Sequence, residues 1–316
     1  MSRNERKPVE PPSELSLAPF RGPRYWPMWL VLGLMHVAAR LPYRWQLRLG
    51  RGLGWLLRHV KRREYRSAAR NLEICFKTLS AAERRQLLHR HFAAVGMSFI
   101  EMGIGWFMPI ERLLERVTVF GREHLDAALA RGKGALLFTA HFTTLEVGAA
   151  VIEALTPNVS CMYRPQRNAM MDVLIRRGRH RFVTEQIPRD NVRALLRSLR
   201  NNHAVLYSPD QTYLGNQSAL LPFFGEPAVT NTATSKLAQI SGATVLPYFF
   251  RRNPSGDYRV DIGPPLADFP TDSPARDSER LFALLEDYIR MAPEQYLWIY
   301  RKFKGRPAPF VDVYAR

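Results

Sequence analysis

The sequence predicts an α/β fold in which a mixed sheet is flanked by helices and preceded by an N-terminal hydrophobic segment. Two observations lead to this prediction: short apolar runs recur after residue 117, and segments of helical length separate them. Such runs are typical of buried strands that are joined by crossover helices. The predicted strands lie at residues 134–139, 159–163, 204–208 and 243–248. We therefore assign residues 117–316 to one α/β domain.

Residues 24–60 are predicted to form a membrane anchor with interfacial helices, after a flexible leader at residues 1–23 that contains five prolines. An apolar run from Leu30 to Ala39 follows two tryptophans and has arginines on both sides. With its aromatic flanks it covers roughly 15 residues, fewer than the ~20 that a perpendicular transmembrane helix needs. These flanks suit helices that dip into or cross one leaflet. The alternative interpretation is an amphipathic core helix.

Residues 61–116 are predicted to form a small helical cap. This region is polar, and its apolar residues recur at helical intervals. They are Leu72, Leu87, Leu88, Phe92, Val95 and Phe99.

The chain is strongly basic, with 46 Lys and Arg against 28 Asp and Glu and a formal net charge of +18. This charge by itself admits nucleic acid, an anionic membrane surface or an acidic protein or lipid partner. The sequence contains no zinc-finger spacing, no aromatic RNA-binding motif and no basic region leading into a zipper. We therefore expect no nucleic-acid partner.

The two cysteines, Cys75 and Cys161, lie far apart and outside any CxxC or Cys/His pattern. Neither a disulfide framework nor a metal site is predicted from this spacing. We expect both to be small buried hydrophobic residues rather than reactive thiols.

A histidine and a glutamate follow the first predicted strand, in the segment His141-Phe142-Thr143-Thr144-Leu145-Glu146. Histidine can remove a proton near neutral pH, and a carboxylate beside it can fix its tautomer and stabilise the imidazolium. We predict that His141 activates a hydroxyl nucleophile, with Glu146 behind it. The chain has no GxSxG elbow, so no covalent serine intermediate is required. A histidine that merely caps a helix is the alternative.

Four further motifs follow in order: Met-Tyr-Arg-Pro at 162–165, Ser-Pro-Asp-Gln at 208–211, Pro-Phe-Phe-Gly at 222–225 and a long aromatic and basic segment at 292–304. Together with the histidine motif, this set resembles the lysophospholipid acyltransferase superfamily. Within it, the set is most similar to the late, lauroyl-type acyltransferases of lipid A biosynthesis in Gram-negative bacteria. The resemblance extends from about Arg24 to Arg306.

The resemblance implies a glycerolipid acyltransferase-like fold and an O-acyltransferase that needs no metal or organic cofactor. It implies transfer of a laurate-type acyl chain from acyl carrier protein to a hydroxyl of a Kdo-linked lipid A precursor. The catalytic domain would then lie on the cytoplasmic face of the bacterial inner membrane. Glutamate at position 146 resembles the lauroyl branch more than the myristoyl branch, where aspartate is familiar.

The same resemblance implies that His141 is the general base and Glu146 its partner. Arg164 is expected in the acceptor pocket, where a guanidinium can bind a phosphate or carboxylate through two contacts. Asp210 is expected to orient the acceptor or order the pocket. The predicted substrate-binding residues are Thr143, Thr144, Tyr163, Arg164, Pro165, Asp210 and Gln211.

An arginine cluster between residues 176 and 200 would dock the acidic carrier protein or the lipid headgroup, unless it is a solvated helix face. Two other functions stay open on the sequence. One is an acyltransferase that acts on another glycerolipid or glycolipid with acyl-CoA as donor. The other is a non-enzymatic, basic membrane-binding protein whose histidine motif is structural.

Overall fold

A seven-stranded mixed sheet forms the centre of the computed structural model, which describes residues 15–315. Its strands run in the order β1-β9-β8-β2-β5-β3-β4, and β6 and β7 form a separate antiparallel pair. Only β8 and β9 pair antiparallel within the sheet. The strands are β1 Val117–Phe120, β2 Ala135–Phe138, β3 Val159–Tyr163, β4 Glu185–Pro188, β5 Ala204–Tyr207, β6 Ser218–Phe223, β7 Glu226–Asn231, β8 Thr244–Arg252 and β9 Tyr258–Ile262.

Helices cover both faces of the sheet, which confirms the predicted α/β class. The five that precede it are α1 Trp26–Ala38, α2 Tyr43–Val60, α3 Arg62–Cys75, α4 Ala81–Phe107 and α5 Ile110–Leu114. The others are α6 Arg122–Ala130, α7 Leu145–Leu155, α8 Ala169–Arg179, α9 Val192–Arg200, α10 Ala233–Ser241 and α11 Pro274–Met291. Short 3-10 turns occur at Ala18–Phe20, Pro23–Tyr25 and Pro293–Gln295.

The central strand β2 shows why the strands of the sheet have continuous apolar sequences. Leu136 and Phe138 pack into the core on one face of the sheet, whereas Ala135 and Leu137 pack into the core on the other. All four are fully buried. A strand that is covered on both faces has no polar side to alternate with its apolar side. The four predicted strands overlap β2, β3, β5 and β8, and β8 continues beyond the predicted end to Arg252.

Helix α4 is the longest helix among the described residues and links the N-terminal helices to the sheet. It begins with a capping box, in which Ser80 and Glu83 each accept from the other's backbone N–H. It crosses α2 where Gly50 and Gly54 face Gly96. A Cβ on Gly96 would overlap the carbonyl oxygen of Gly50, so the close approach of the two backbones depends on glycine.

Helices α1 and α2 bury one side against α4 and leave apolar side chains exposed on the other. Ala38 and Ala39 are buried, and a Cβ on Gly103 of α4 would lie 2.9 Å from the carbonyl oxygen of Met35. The exposed apolar residues are Trp26, Leu30, Val31, Leu34 and Val37 on α1 and Trp45, Leu49, Trp55, Leu56 and Val60 on α2. Within residues 15–315, no helix combines the length and the apolar character that crossing a membrane requires.

Residues 1–14 of the predicted leader lie outside the described residues. Its remainder includes the 3-10 turn Ala18–Phe20, and the indole N–H of Trp29 donates to the carbonyl oxygen of Phe20 at 2.8 Å. Leu15 is buried. This part of the leader therefore packs against the helices that follow it.

Candidate active site

The site lies at the carboxyl edge of three neighbouring parallel strands, β2, β5 and β3. In the sheet, Phe138 at the end of β2 is paired with Tyr207 at the end of β5. The loops that follow these two residues carry His141 and Asp210. Because carboxyl ends of parallel strands meet at one edge of a sheet, the two loops converge there.

His141 forms a hydrogen bond with Asp210, in which Nδ1 lies 2.6 Å from Oδ1. Asp210 is almost fully buried, whereas the His141 side chain is 32% exposed. An ionised carboxylate only accepts hydrogen bonds, so Nδ1 donates. In the neutral ring this leaves Nε2 with a free lone pair. The arrangement lets His141 accept a proton while Asp210 stabilises the imidazolium that forms.

The surroundings of the pair shift both pKa values. Burial lowers the pKa of His141, but the negative charge of Asp210 and its hydrogen bond outweigh this effect and raise the pKa above its usual value. The positive charge of Arg179 acts in the opposite direction and lowers the pKa of His141. Burial raises the pKa of Asp210, but His141 and Lys302 reverse the effect and leave the pKa lowered. Asp210 therefore stays ionised.

Two residues from the C-terminal motif hold Asp210. The hydroxyl of Tyr296 donates to Oδ2 of Asp210 at 3.2 Å, and Nζ of Lys302 donates to its backbone carbonyl at 2.8 Å. Lys302 is fully buried, and burial lowers its pKa to about 8. The sequence analysis identified the motif at residues 292–304 but assigned no role to Tyr296 or Lys302. The aromatic and basic pattern does not indicate that this segment contacts the loop that carries Asp210.

The same C-terminal segment also fixes the histidine loop. The backbone N–H of Thr143 donates to the backbone carbonyl of Gln295 at 2.8 Å. The backbone N–H of Leu297 donates to the backbone carbonyl of His141 at 2.9 Å. These bonds form a short antiparallel bridge. One segment thus positions both members of the histidine and aspartate pair.

Glu146 has a different partner from the predicted one. It lies in the first turn of α7, where its carboxylate accepts from Nε of Arg179 at 3.0 Å and from Nη2 of the same residue. The indole N–H of Trp106 lies 3.4 Å from its other oxygen. Asp210, not Glu146, is therefore the carboxylate that contacts His141. The physical reason is that α8 brings a guanidinium to Glu146, and a buried carboxylate needs a charged, hydrogen-bonded partner.

The two threonines of the histidine motif differ in their contacts. The hydroxyl of Thr144 donates to the backbone carbonyl of Phe250 at 3.0 Å, which ties the loop to β8. Thr143 is also buried, but its hydroxyl has no hydrogen-bond partner among residues 15–315. Thr144 is therefore part of the scaffold, and Thr143 keeps an unused donor and acceptor beside His141.

The other predicted pocket residues lie at the same edge of the sheet. Tyr163 is the last residue of β3, and the exposed Arg164 and Pro165 follow it directly. Gln211 is half-buried and follows Asp210. The structure thus collects these residues around the ends of β2, β5 and β3.

Several members of the predicted arginine cluster contact other residues, whereas Arg193, Arg197 and Arg200 are exposed on α9. Five members have separate contacts, which are Arg177 with the carbonyl of Leu15, Arg179 with Glu146, Arg181 with the carbonyl of Trp106, Arg189 with Asp190 and Arg197 with Glu185. Arg179 belongs to the site, a role that the sequence did not separate from its neighbours.

Both cysteines are free and buried, as the sequence predicted. Cys161 lies on β3, and burial raises its pKa to about 11. A thiol with this pKa stays protonated near neutral pH. Among the described residues, no three or more His, Cys, Asp or Glu side chains are grouped so that they could hold a metal ion.

Comparison with known proteins identifies the family. The family model of the bacterial lipid A biosynthesis acyltransferases matches residues 17–305. The lipid A biosynthesis lauroyltransferase of Escherichia coli K12 is 37% identical over 287 residues, which cover 90% of this chain and 94% of the relative. The palmitoleoyltransferase of the same strain is 35% identical over 93% of this chain and 96% of the relative, and a lipid A biosynthesis acyltransferase of Haemophilus influenzae is 32% identical over 96% and 97%. The chain belongs to the bacterial lipid A biosynthesis acyltransferase family and is an O-acyltransferase.

Proposed function

We propose that this enzyme transfers a laurate-type acyl chain from acyl carrier protein to a hydroxyl of a Kdo-linked lipid A precursor, with His141 as the general base. The observation that carries the proposed chemistry is the hydrogen bond between Nδ1 of His141 and Asp210. It fixes the tautomer in which Nε2 can accept a proton.

The proposed reaction needs no covalent enzyme intermediate. Nε2 of His141 takes the proton of the acceptor hydroxyl while its oxygen attacks the thioester carbonyl carbon. The tetrahedral intermediate then collapses, the carbon–sulfur bond breaks, and the leaving thiolate takes the proton from His141. Asp210 stabilises the imidazolium between these steps, as a buried carboxylate does in other histidine-dependent acyl transfers.

Glu146 is proposed to act through Arg179 rather than through His141. Its carboxylate pairs with the guanidinium and holds it in place, and the positive charge of Arg179 limits the rise in the pKa of His141. In this proposal Glu146 is a positioning residue and does not touch the reacting atoms.

The acceptor is proposed to bind along the carboxyl edge, against Thr143, Tyr163, Arg164, Pro165 and Gln211. The exposure of Arg164 at the end of β3 supports a contact with a phosphate or carboxylate of the acceptor. Thr144 is left out of this set because its hydroxyl already bonds to Phe250.

The donor, chain length and location are proposed on separate grounds. A net charge of +18 suits an acidic carrier protein, and the name of the lauroyltransferase relative supports laurate. The exposed apolar side chains of α1 and α2 support contact with a membrane, which we propose to be the inner membrane at its cytoplasmic face. This contact would keep the enzyme next to an acceptor whose acyl chains stay in the bilayer.

Mass spectrometry of lipid A from cells with and without this protein tests the proposal. We expect one laurate-type acyl chain to be missing in its absence and to return with the parent chain, but not with His141→Ala. Purified enzyme should use acyl carrier protein in preference to acyl-CoA. Unchanged lipid A, together with altered glycerophospholipid, would contradict the proposed acceptor.

A further inference from the structure

A basic cleft of about 600 Å³ lies where α2, α3 and α4 meet, outside the site described above. Its lining residues are Arg58, His59, Arg62, Tyr65, Arg66 and His89. The volume is within the range of small-molecule sites. Five of the six residues carry a cationic or imidazole side chain, so the cleft suits an anionic ligand.

No carboxylate within residues 15–315 forms an ion pair with the arginines of this cleft. Nε of Arg58 is buried without a hydrogen-bond partner among these residues. Burial lowers the pKa of His89, and the nearby charges of Arg58 and Arg85 lower it further. The charges of Arg58 and Arg85 therefore act on the imidazole of His89, and an anion in the cleft would offset them.

The geometry of the arginines suits a phosphate group. Arg62 and Arg66 are one turn apart on α3 and present neighbouring side chains on one face of the helix. Arg58 approaches from the last turn of α2. Guanidinium groups bind phosphate oxygens through paired, charge-assisted hydrogen bonds, and three of them converge here.

The cleft adjoins an exposed apolar surface. Trp55 is 58% exposed and its ring contacts that of His59, which lines the cleft, while Leu56 is 49% and Val60 65% exposed. Aromatic and aliphatic side chains beside arginines are typical of a protein surface at the level of lipid headgroups. An acidic protein partner would match the charge but would leave this apolar neighbourhood without a function.

We propose that this cleft binds the phosphate headgroup of an anionic membrane lipid. The proposal rests on the membrane contact proposed above for α1 and α2, and it adds a defined headgroup site to that contact. It does not depend on the acyl-transfer reaction.

Binding of the full-length protein to two kinds of vesicle tests the proposal: phosphatidylcholine alone, and phosphatidylcholine with phosphatidic acid. The cleft variant carries Arg58→Gln, Arg62→Gln and Arg66→Gln. A charge-matched control carries Arg112→Gln, Arg122→Gln and Arg276→Gln, whose side chains are exposed on α5, α6 and α11. Cosedimentation should show that the cleft variant loses about tenfold or more of its affinity for the phosphatidic acid vesicles, and that the control loses less than about threefold. Binding to phosphatidylcholine alone should not change in either variant.

A second measurement separates the headgroup site from the membrane contact. Glycerol 3-phosphate, a soluble form of the headgroup, should shift the imidazole NMR signals of His59 and His89 in the parent chain but not in the cleft variant. If the parent binds neither kind of vesicle, the proposed membrane contact is wrong. If glycerol 3-phosphate also leaves the imidazole signals of the parent unchanged, the proposed phosphate site in the cleft is wrong as well.

Two other results would overturn the proposal. In one, the cleft variant binds both vesicles as the parent does, while glycerol 3-phosphate still shifts the imidazole signals of the parent, which would exclude the lipid as the ligand. In the other, the variant keeps its vesicle binding and loses affinity for acyl carrier protein, which would make the cleft a protein-docking surface. Thermal unfolding of both variants checks that neither result comes from misfolding.

Discussion

The contact between His141 and Asp210 gives each residue a separable role. The histidine must be neutral to accept a proton, and Asp210 raises its pKa by charge and hydrogen bonding. The rate should therefore increase with rising pH through the pKa of His141, and the midpoint should lie above the usual value of about 6.5.

Asp210→Asn keeps the shape of the side chain and removes its charge. We expect kcat to fall by roughly 10²–10⁴, because the imidazolium loses its stabilising carboxylate. The acidic limb of the pH profile should move to lower pH, because nothing then raises the pKa of His141. Profiles of kcat/KM for the parent and the variant measure this shift, with Asp272→Asn, at an exposed position, as the control. A limb that stays in place would show that Asp210 does not act on His141.

Glu146 and Arg179 form a mostly buried ion pair, with side chains that are 9% and 17% exposed. Glu146→Gln should lower the free energy of unfolding by about 3–5 kcal/mol, because it leaves a buried guanidinium without a counter-charge. Glu146→Gln combined with Arg179→Met should recover much of that loss, since removing the guanidinium as well leaves no unpaired buried charge. Urea unfolding measures both effects.

Kinetics of the same variant distinguish the two roles of Glu146. A positioning residue should cost less in kcat than Asp210→Asn does. If Glu146→Gln left unfolding unchanged and lowered kcat as much as His141→Ala, Glu146 would act directly in catalysis, as the sequence alone suggested.

At the level of elements, α2 and α4 cross at glycines, and the space beside these glycines is too small for a side chain. Gly96→Ala should destabilise the protein strongly, because the new Cβ would overlap the backbone of Gly50 and force the helices apart. Gly52→Ala is the matched control on α2, where a Cβ meets nothing within 4 Å. It should be neutral or stabilising by up to about 1 kcal/mol, since alanine favours a helix over glycine. Thermal unfolding of the two variants tests this prediction. Equal unfolding midpoints for Gly96→Ala and Gly52→Ala would contradict the close packing of α2 and α4.

At the level of the whole molecule, the apolar surfaces of α1 and α2 lie on a strongly basic chain. Leu30, Leu34 and Val37 share one face of α1 and are 65%, 60% and 58% exposed. Replacing all three with glutamine should weaken retention on vesicles and lower activity on bilayer-embedded acceptor far more than on detergent-dispersed acceptor. The reason is that a membrane-bound enzyme searches for its acceptor locally.

The control for this prediction replaces three exposed apolar residues outside α1 and α2, Val192, Ile240 and Val311, with glutamine. It should leave vesicle binding intact. Equal losses of activity on both forms of the acceptor would mean that α1 serves only the fold, as the core-helix interpretation holds.

Apolar runs and motif order were enough to predict much of this protein. The runs predicted β2, β3, β5 and β8, because a strand buried on both faces must be apolar along its whole length. The ordered motifs predicted the family, which the comparisons confirm. The motifs also predicted His141 and Asp210 as site residues, and both follow buried strands of an α/β fold.

Only the tertiary structure decided which carboxylate meets His141. Glu146 is close in sequence, but the first turn of α7 directs it to Arg179 on α8. Asp210 is 69 residues away along the chain, and it reaches His141 because β5 lies directly beside β2 in the sheet. Strand order is set by how all the helices and strands pack together, and local periodicity carries no information about it. The sequence therefore determined which groups stand at the carboxyl edge, and the sheet determined which of them touch.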